Sequence, residues 1–283
     1  MSAAVSITAV RSGLNAGRIE VRQSLTNGQD IVSMLFIPAV LLVVALFRRG
    51  SDIGGTGFSF GSTTLASLLG MVLAFNGLQA VAFSLLTERE DGTLLRAKAA
   101  PNGMVAYLVS KIIHSSVTSL VTTALLLVPG LLLFEGVALD SAGAWFTLVW
   151  VLALGLLATM PIGAVLGSLL DSPRNISVVM FPLLALFGIS GIFFPMTEAP
   201  EWLQFVAQVF PVYWLGLGMR AALLPDAFAS VEIGDSWRLL ETFLALGAWS
   251  ALGLLLAPVV LRRMARKESG SAIAARKETA MRG

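Results

Sequence analysis

Long apolar runs are the feature that most constrains what this chain can fold into. Six of them lie at residues 31–47, 64–86, 112–134, 144–170, 176–194 and 242–261. Each is long enough, as a helix, to cross about 30 Å of hydrocarbon. Because lipid cannot satisfy a free backbone amide, such runs predict helices. Only 13% of the 283 residues are charged, about half the share of a soluble domain. The predicted fold class is an all-α integral membrane protein with six transmembrane helices.

The basic residues predict the orientation of these helices. Fifteen lysines and arginines fall on one side of the six runs, in residues 1–30, 87–111, 171–175 and 262–283, and four fall on the other. Cytoplasmic connections are the ones enriched in Lys and Arg. Both termini are therefore predicted to lie in the cytoplasm, in a multi-pass protein of the cell membrane. The four basic residues predicted outside are Arg48, Arg49, Arg220 and Arg238.

Residues 206–224 form a further apolar run that challenges the count of six. A seventh crossing would place the basic C-terminal tail outside, against the charge bias. Pro211, Gly216 and Gly218 also interrupt the run. We therefore interpret it as a re-entrant or surface-lying helical element within an external segment, residues 195–241.

The two ends of the chain lie outside the predicted transmembrane domain, residues 31–261. Residues 1–30 predict an amphipathic cytoplasmic helix at the membrane surface, with a frayed tail as the alternative. The apolar face of that helix consists of Ile7, Val10, Leu14, Val21 and Leu25. Residues 262–283 predict a basic tail against anionic headgroups. No cleavable signal peptide is predicted.

The sequence offers little basis for a catalytic site. The glycine cluster at residues 54–57 lacks the lysine of a phosphate-binding loop, and HExxH does not occur. GxSxG occurs once, at residues 57–61, but a glycine-rich stretch precedes it and not the strand that a nucleophilic serine of this motif requires. Without cysteine, and with His114 as the single histidine, thiolate and multi-histidine metal centres are excluded. We expect no enzyme site, and neither a metal nor a cofactor bound by this chain.

The predicted spans also lack ionisable side chains that could couple transport to an ion gradient. Ion-coupled carriers commonly place Asp, Glu or His near mid-membrane, whereas these interiors offer the uncharged Asn76 and Gln79. His114, beside Lys111, is interpreted as an interfacial residue and not as a proton relay. An ion-coupled secondary carrier and a non-transporting scaffold or assembly factor are the alternatives to a transporter driven from outside the chain.

The connection between the second and third runs, residues 87–101, is dense in charges of both signs. Thr87 is predicted to cap a short helix whose first turn carries Glu88, Glu90 and Asp91. Leu94 and Leu95 would then face a partner or the bilayer. By its chemistry alone, this connection could be any solvated loop.

This connection resembles a signature of permeases of the ATP-binding-cassette (ABC) type-two exporter family, ERE-x-GTL-x-x-x-x-A-x-P, which follows their second span. Residues 88–90, 92–94 and 101 match it in order and position, whereas residues 96–98 depart from the commoner spacing of this family's loop. The sequences SGIFFPM at 190–196, PEWL at 200–203 and FPVYW at 210–214 are similar to the same family's fifth-span exit and external segment, and Pro38 to its first-span proline. Such permeases export drugs, antibiotics, lipids and polysaccharides.

The resemblance implies a role for the connection as a coupling helix that touches a separate ABC ATPase subunit. The residues that would carry this contact are Glu88, Arg89, Glu90, Asp91, Gly92, Thr93, Leu94, Arg96 and Pro101. The helix at residues 7–25 would be the connecting helix beside it. ATP and Mg would bind to the partner subunit, and a second copy or a related permease would complete a dimer. No nucleic-acid partner is expected.

The resemblance also implies a substrate path between spans two and five. It would be lined by Phe75, Asn76, Gln79 and Phe83 opposite Phe187, Phe193 and Phe194. Such a path suits a hydrophobic or amphipathic compound, such as a drug, an antibiotic or a lipid-like molecule, moved out of the cytoplasm. Helix packing, with the amides bonded across helices, is the alternative.

Aromatic residues of the external segment have two interpretations. They could anchor the segment at the membrane interface or act as a lid over the exit path. The residues are Trp202, Phe205, Tyr213 and Trp214.

Overall fold

The computed structural model of the chain describes residues 3–47, 50, 59–170, 176–192 and 196–267. These ranges contain ten α-helices and two 3₁₀ helices, Met196–Glu198 and Asp226–Val231. The predicted all-α class is confirmed for this part of the chain. The α-helices are α1 (Ala3–Thr26), α2 (Gly28–Phe47), α3 (Phe60–Glu90), α4 (Thr93–Ala99), α5 (Gly103–Leu133), α6 (Ala142–Leu169), α7 (Ile176–Ile189), α8 (Glu201–Val209), α9 (Pro211–Leu223) and α10 (Leu239–Lys267).

Five of the described helices are long and apolar enough to cross a membrane: α2, α3, α5, α6 and α10. They correspond to five of the six predicted runs. The remaining run, residues 176–194, contains α7, whose 14 residues span about 21 Å, less than the roughly 30 Å of hydrocarbon. Residues 193–195 lie outside the described ranges, and the sixth crossing stays a prediction.

Several helices extend well beyond the apolar runs that predicted them. Helix α5 begins at Gly103 and not near Ile112, and α10 continues to Lys267. Helix α3 continues to Glu90 and contains Thr87, whose hydroxyl donates to the Phe83 carbonyl at 3.0 Å. The prediction that Thr87 caps a short helix is therefore wrong. Helical hydrogen bonding does not stop where hydrocarbon stops, and α3 ends before Gly92, which adopts a left-handed φ of 76°.

The centre of the bundle is a close contact between α3 and α6. A Cβ atom added at Gly163 would overlap the Leu78 carbonyl oxygen, and one added at Gly167 would lie 2.8 Å from the Ala82 Cα. Small residues at such positions let two helix backbones approach each other. Helix α10 packs against α6 in the same way, since a Cβ at Gly253 would lie 2.5 Å from the Pro161 Cβ.

Helix α9 is also part of the core. It packs against α3, α6 and α10, and nearly all of its side chains are buried. Gly216 faces Gly70, and Gly155 makes room for Leu215. The surface-lying interpretation of residues 206–224 is therefore wrong for α9. Its glycines supply the close approach that a buried helix needs, whereas α8, before the break at Phe210, keeps an exposed apolar face.

A buried ion pair fixes α9 to the segment that follows it. Arg220 and Glu232 are 3% and 2% exposed. Their Nε–Oε1 distance is 2.5 Å and their Nη2–Oε2 distance is 3.2 Å. Arg220 Nη1 also donates to the Gly191 carbonyl at 3.3 Å. This two-point geometry is the strong form of an arginine–carboxylate pair, and it joins the residues after α7, α9 and the second 3₁₀ helix.

Replacing Gly163 by alanine tests the α3–α6 contact. The added methyl group meets backbone that cannot rotate away, so Gly163→Ala should lower the free energy of unfolding by about 1–3 kcal/mol. Gly247→Ala on α10 is the matched control, because a Cβ there has no neighbour within 4 Å, and it should leave stability unchanged or slightly raised. Thermal unfolding in detergent measures both. Equal melting temperatures for the two variants would contradict the contact.

Removing one charge of the Arg220–Glu232 pair should be costly. Glu232→Gln keeps the shape but leaves a buried guanidinium without its counter-ion, which costs about 3–5 kcal/mol. The double variant Arg220→Met/Glu232→Met removes both charges and should lie close to wild type. Unfolding followed by tryptophan fluorescence compares the two proteins. If Glu232→Gln were as stable as the double variant, the unpaired Arg220 guanidinium would carry no measurable penalty, which would contradict this prediction.

Candidate functional site

Three helix ends share one ammonium group. Lys111 on α5 lies with its Nζ 2.9 Å from Glu20 Oε2 on α1 and forms a second ion pair with Glu88 Oε1 at the end of α3. The side chains of Lys111 and Glu88 are 11% and 17% exposed, that of Glu20 31%. Carboxylates on two separate helices thus neutralise the same buried cation.

Hydroxyl groups complete this network. Ser110 donates to Glu20 Oε1 at 2.9 Å, and Ser84 donates to Glu88 Oε1 at 3.1 Å. The Lys111 ammonium lies 5.6 Å from the centre of the Tyr107 ring, close enough for a cation–π contact. The predicted spans contain no charged residue, but the longer α3 and α5 bury Glu88 and Lys111 at their ends. His114, one turn further along α5, forms a hydrogen bond with Ser24 of α1 at 2.9 Å.

Helix α1 lies directly against α5. A Cβ at Gly13 would lie 2.5 Å from the Ala106 carbonyl oxygen, and one at Gly17 would lie 3.1 Å from that of Ser110. The predicted N-terminal helix is confirmed, and the frayed-tail alternative is wrong for Ala3–Thr26. Ile7 and Leu14 of its apolar face are 68% and 44% exposed, whereas Val21 and Leu25 of the same face are half-buried beside Ile113 and Val117 of α5.

The coupling connection folds into a tight turn followed by α4. Leu94, 1% exposed, packs in a cluster with Leu85, Tyr107, Ala164 and Ala257. These four residues belong to α3, α5, α6 and α10, so Leu94 shares one apolar cluster with four long helices. The expectation that Leu94 faces a partner or lipid is wrong, because the apolar pocket it fills is formed by its own chain.

The predicted coupling residues divide into an inner and an outer group. Glu88 and Leu94 point into the chain, as does Arg89, which is 7% exposed and donates from Nη1 to the Leu170 carbonyl. Gly92 lies at the turn, and the side chain of Glu90 is not among those described. The exposed members form what we term the coupling face: Asp91, Thr93, Arg96 and Pro101.

The residues predicted to line a substrate path do not share one wall. Phe75 faces Phe187 on α7, with 6.1 Å between ring centres. Asn76, Gln79 and Phe83 instead line a groove bounded by α2 and α5. Phe193 and Phe194 lie outside the described residues, and their role stays a prediction.

The groove that contains Asn76 and Gln79 has a wall of hydroxyl groups that was not among the predicted site residues. Its α5 side consists of His114, Ser115, Thr118, Ser119 and Thr122, and α2 adds Ser33 and Met34. The groove holds about 240 Å³. The sequence does carry a signal for it, because residues 115, 119 and 122 recur at steps of four and three, which places them on one helical face.

The four aromatic residues predicted in the external segment divide into an exposed pair and a buried pair. Trp202 and Phe205 are 67% and 71% exposed on α8, and their anchoring or lid role stays a prediction. Tyr213 and Trp214 are buried within the chain, and their anchoring or lid role also stays a prediction. Trp214 Nε1 donates to the Gln208 carbonyl at 2.6 Å, and the Arg238 guanidinium lies 4.8 Å from its ring.

Among the described residues, no group of three or more His, Cys, Asp or Glu side chains is arranged to hold a metal ion.

Comparison with known proteins identifies the family. The family of ABC-2 transporter proteins matches residues 56–258. Two relatives, each described as a probable doxorubicin resistance ABC transporter permease protein DrrC, come from two strains of Mycobacterium tuberculosis. Each is 26% identical to this chain over 235 residues, which cover 78% of this chain and 83% of the relative. The chain belongs to the ABC-2 transporter family and is a multi-pass permease of the cell membrane.

Proposed function

We propose that this chain is the permease subunit of an ABC exporter, which moves a hydrophobic or amphipathic compound out of the cytoplasm. ATP, with Mg, would be hydrolysed on a separate ATPase subunit, and a second permease copy or a related permease would complete the membrane unit. The family supports the ABC transporter assignment. The resistance role in the relatives' description supports an exported drug-like substrate.

The connection between α3 and α5 is the observation that carries this proposal. The exposed coupling face offers both charge signs to a soluble partner, which suits a docking surface. Directly behind it, Leu94 fills a pocket made by four long helices, and Glu88 joins α3 to α5 and α1 through Lys111. A force applied to α4 from the cytoplasm would therefore reach most of the bundle through packed contacts.

The proposed topology has six crossings, with α7 and the residues after it as the fifth. Both termini and the coupling face would then be cytoplasmic, in line with the distribution of basic residues. Helices α8 and α9 would enter and leave the membrane from the outer side as a re-entrant pair. The burial of α9 and its glycine contacts to α3 and α6 support such a pair, because a lipid-embedded backbone must be covered by protein.

Charge reversal on the coupling face should uncouple transport. Asp91 is exposed and caps the end of α3, where a lysine is compatible with the helix dipole. Asp91→Lys should leave folding intact and lower ATP-driven efflux from reconstituted vesicles about tenfold. The control is Asp140→Lys, which makes the same change at an exposed site before α6, predicted to be external. Retained efflux in Asp91→Lys, or equal loss in both variants, would contradict the docking role.

Emptying the Leu94 pocket should weaken the link between hydrolysis and movement. Leu94→Ala removes a buried side chain from the cluster shared with four helices and should destabilise the chain by about 2–5 kcal/mol. In the assembled complex, we expect fewer substrate molecules moved per ATP, with the ATPase subunit still bound. Leu95→Ala, at the half-buried neighbouring position, should keep the wild-type ratio. The ratio of efflux to phosphate release measures the effect, and an unchanged ratio in Leu94→Ala would argue against α4 as the transmitting element.

A further inference from the structure

The hydroxyl-lined groove lies within the apolar parts of two long helices. Asn76 and Gln79 on one wall lie near the middle of the apolar run 64–86. Ser115 and Ser119 on the other wall lie in the half of the run 112–134 that is nearer Lys111. Within such runs water is scarce, and uncompensated polar groups are expensive.

Two of the serines in the groove lack the partner that such a position demands. Ser115 and Ser119 are 2% and 0% exposed, and among the described residues neither hydroxyl has a hydrogen-bond partner. The two threonines that line the same groove behave differently, since Thr118 and Thr122 donate to the carbonyls of His114 and Thr118 on their own helix. Buried polar groups are normally satisfied, so two adjacent exceptions in one groove point to a missing acceptor or donor.

The groups that line the groove define the chemistry of that missing partner. Serine hydroxyls and side-chain amides both donate and accept hydrogen bonds. No carboxylate, lysine or arginine is among the residues that line the groove, and its one titratable side chain, His114, is hydrogen-bonded to Ser24 of α1. The groove therefore offers a charged ligand no fixed counter-ion. Met34 and Phe83 supply apolar surface at its edge. A neutral group rich in hydroxyls, carried by an apolar body, matches these donors, acceptors and walls.

The size of the groove indicates how much of the substrate it holds. Sites for whole drug-sized ligands measure about 300–1,000 Å³, whereas this groove measures about 240 Å³. It therefore fits one polar group. The remainder of the molecule would lie against Phe83, which is 49% exposed.

We propose that the groove between α2, α3 and α5 is a subsite for the neutral polyhydroxyl group of an amphiphile, such as a sugar attached to an apolar chain, with Ser115 and Ser119 as its hydrogen-bonding floor. This inference rests on the proposed export function for its biological meaning, but binding to the groove is testable without ATP or an ATPase subunit.

The test compares two fluorescent probes that differ in the polar group alone. One is a dye-labelled dodecyl glucoside, and the other is the same labelled dodecyl chain ending in a methyl ether. Binding to the full chain in lipid nanodiscs is followed by fluorescence polarisation, with empty nanodiscs as the blank. The variant is Ser115→Ala/Ser119→Ala. Its matched control is Thr123→Val, which removes another buried hydroxyl without a partner on α5 that does not line the groove.

We expect the wild-type chain to bind the glucoside about tenfold more tightly than the ether, equivalent to about 1.4 kcal/mol. The double alanine variant should reduce this preference to about twofold or less, and Thr123→Val should retain it. The melting temperature of the double variant should not fall, because alanine removes unsatisfied hydroxyl groups from an apolar interior. No preference in the wild type, or an undiminished preference in the double variant, would overturn the subsite. So would a loss of preference in Thr123→Val equal to that in the double variant.

A second measurement separates this inference from the proposed function. Vesicles containing the permease with its ATPase subunit are supplied with ATP and either probe. ATP-driven export of the ether probe, combined with no binding preference for the glucoside, would overturn the subsite and leave the exporter proposal standing. Selective glucoside binding, with no ATP-driven movement of either probe, would support the subsite and count against the exporter proposal.

Discussion

The backbone contact between α3 and α6 is the interaction on which the rest of the structure depends. Lipid gives two apolar helices little reason to associate, so association rests on close van der Waals contact. Gly163 and Gly167 bring α6 against the α3 backbone, and α9 packs on both helices. Helix α10 then packs on α6 at Gly253. Helices α3 and α6 can approach each other because the side chains at their contact are small, and this pair positions α9 and α10.

Charge is organised differently at the coupling connection and in the membrane-spanning part. At the connection, one set of side chains turns inward and is neutralised by Lys111, while the coupling face stays in water. Along the groove between α2, α3 and α5, the polar groups are hydroxyls, amides and the imidazole of His114. A charged ligand there would meet no carboxylate, lysine or arginine as counter-ion, whereas a neutral ligand needs none. This separation supports the two proposed roles, a charged docking surface at the connection and a neutral substrate route between the spanning helices.

Much of the fold could be predicted from the sequence, because five of the spanning helices are simple apolar runs with the length that hydrocarbon dictates. The ends of the helices could not be predicted in this way, because helical hydrogen bonding continues into polar surroundings, as at Thr87 and Gly103. The burial of α9 was also missed, because an apolar segment with glycines has the same composition at a surface or in a core. The role of Glu88 depends on partners 23 and 68 residues away in sequence, at Lys111 and Glu20, and no local pattern reports such a pairing.

The ammonium shared by two carboxylates also restricts how the chain can bend. If the ends of α1 and α3 moved apart, one carboxylate would lose its counter-ion in a partly buried site, which is energetically unfavourable. The ends of α1, α3 and α5 therefore move together as one rigid unit. Helix α5 bends most easily at Pro129, because proline lacks the N–H that would bond to the preceding turn. The position at which a bend in this helix would cost least is therefore five turns away from Lys111, near the opposite end.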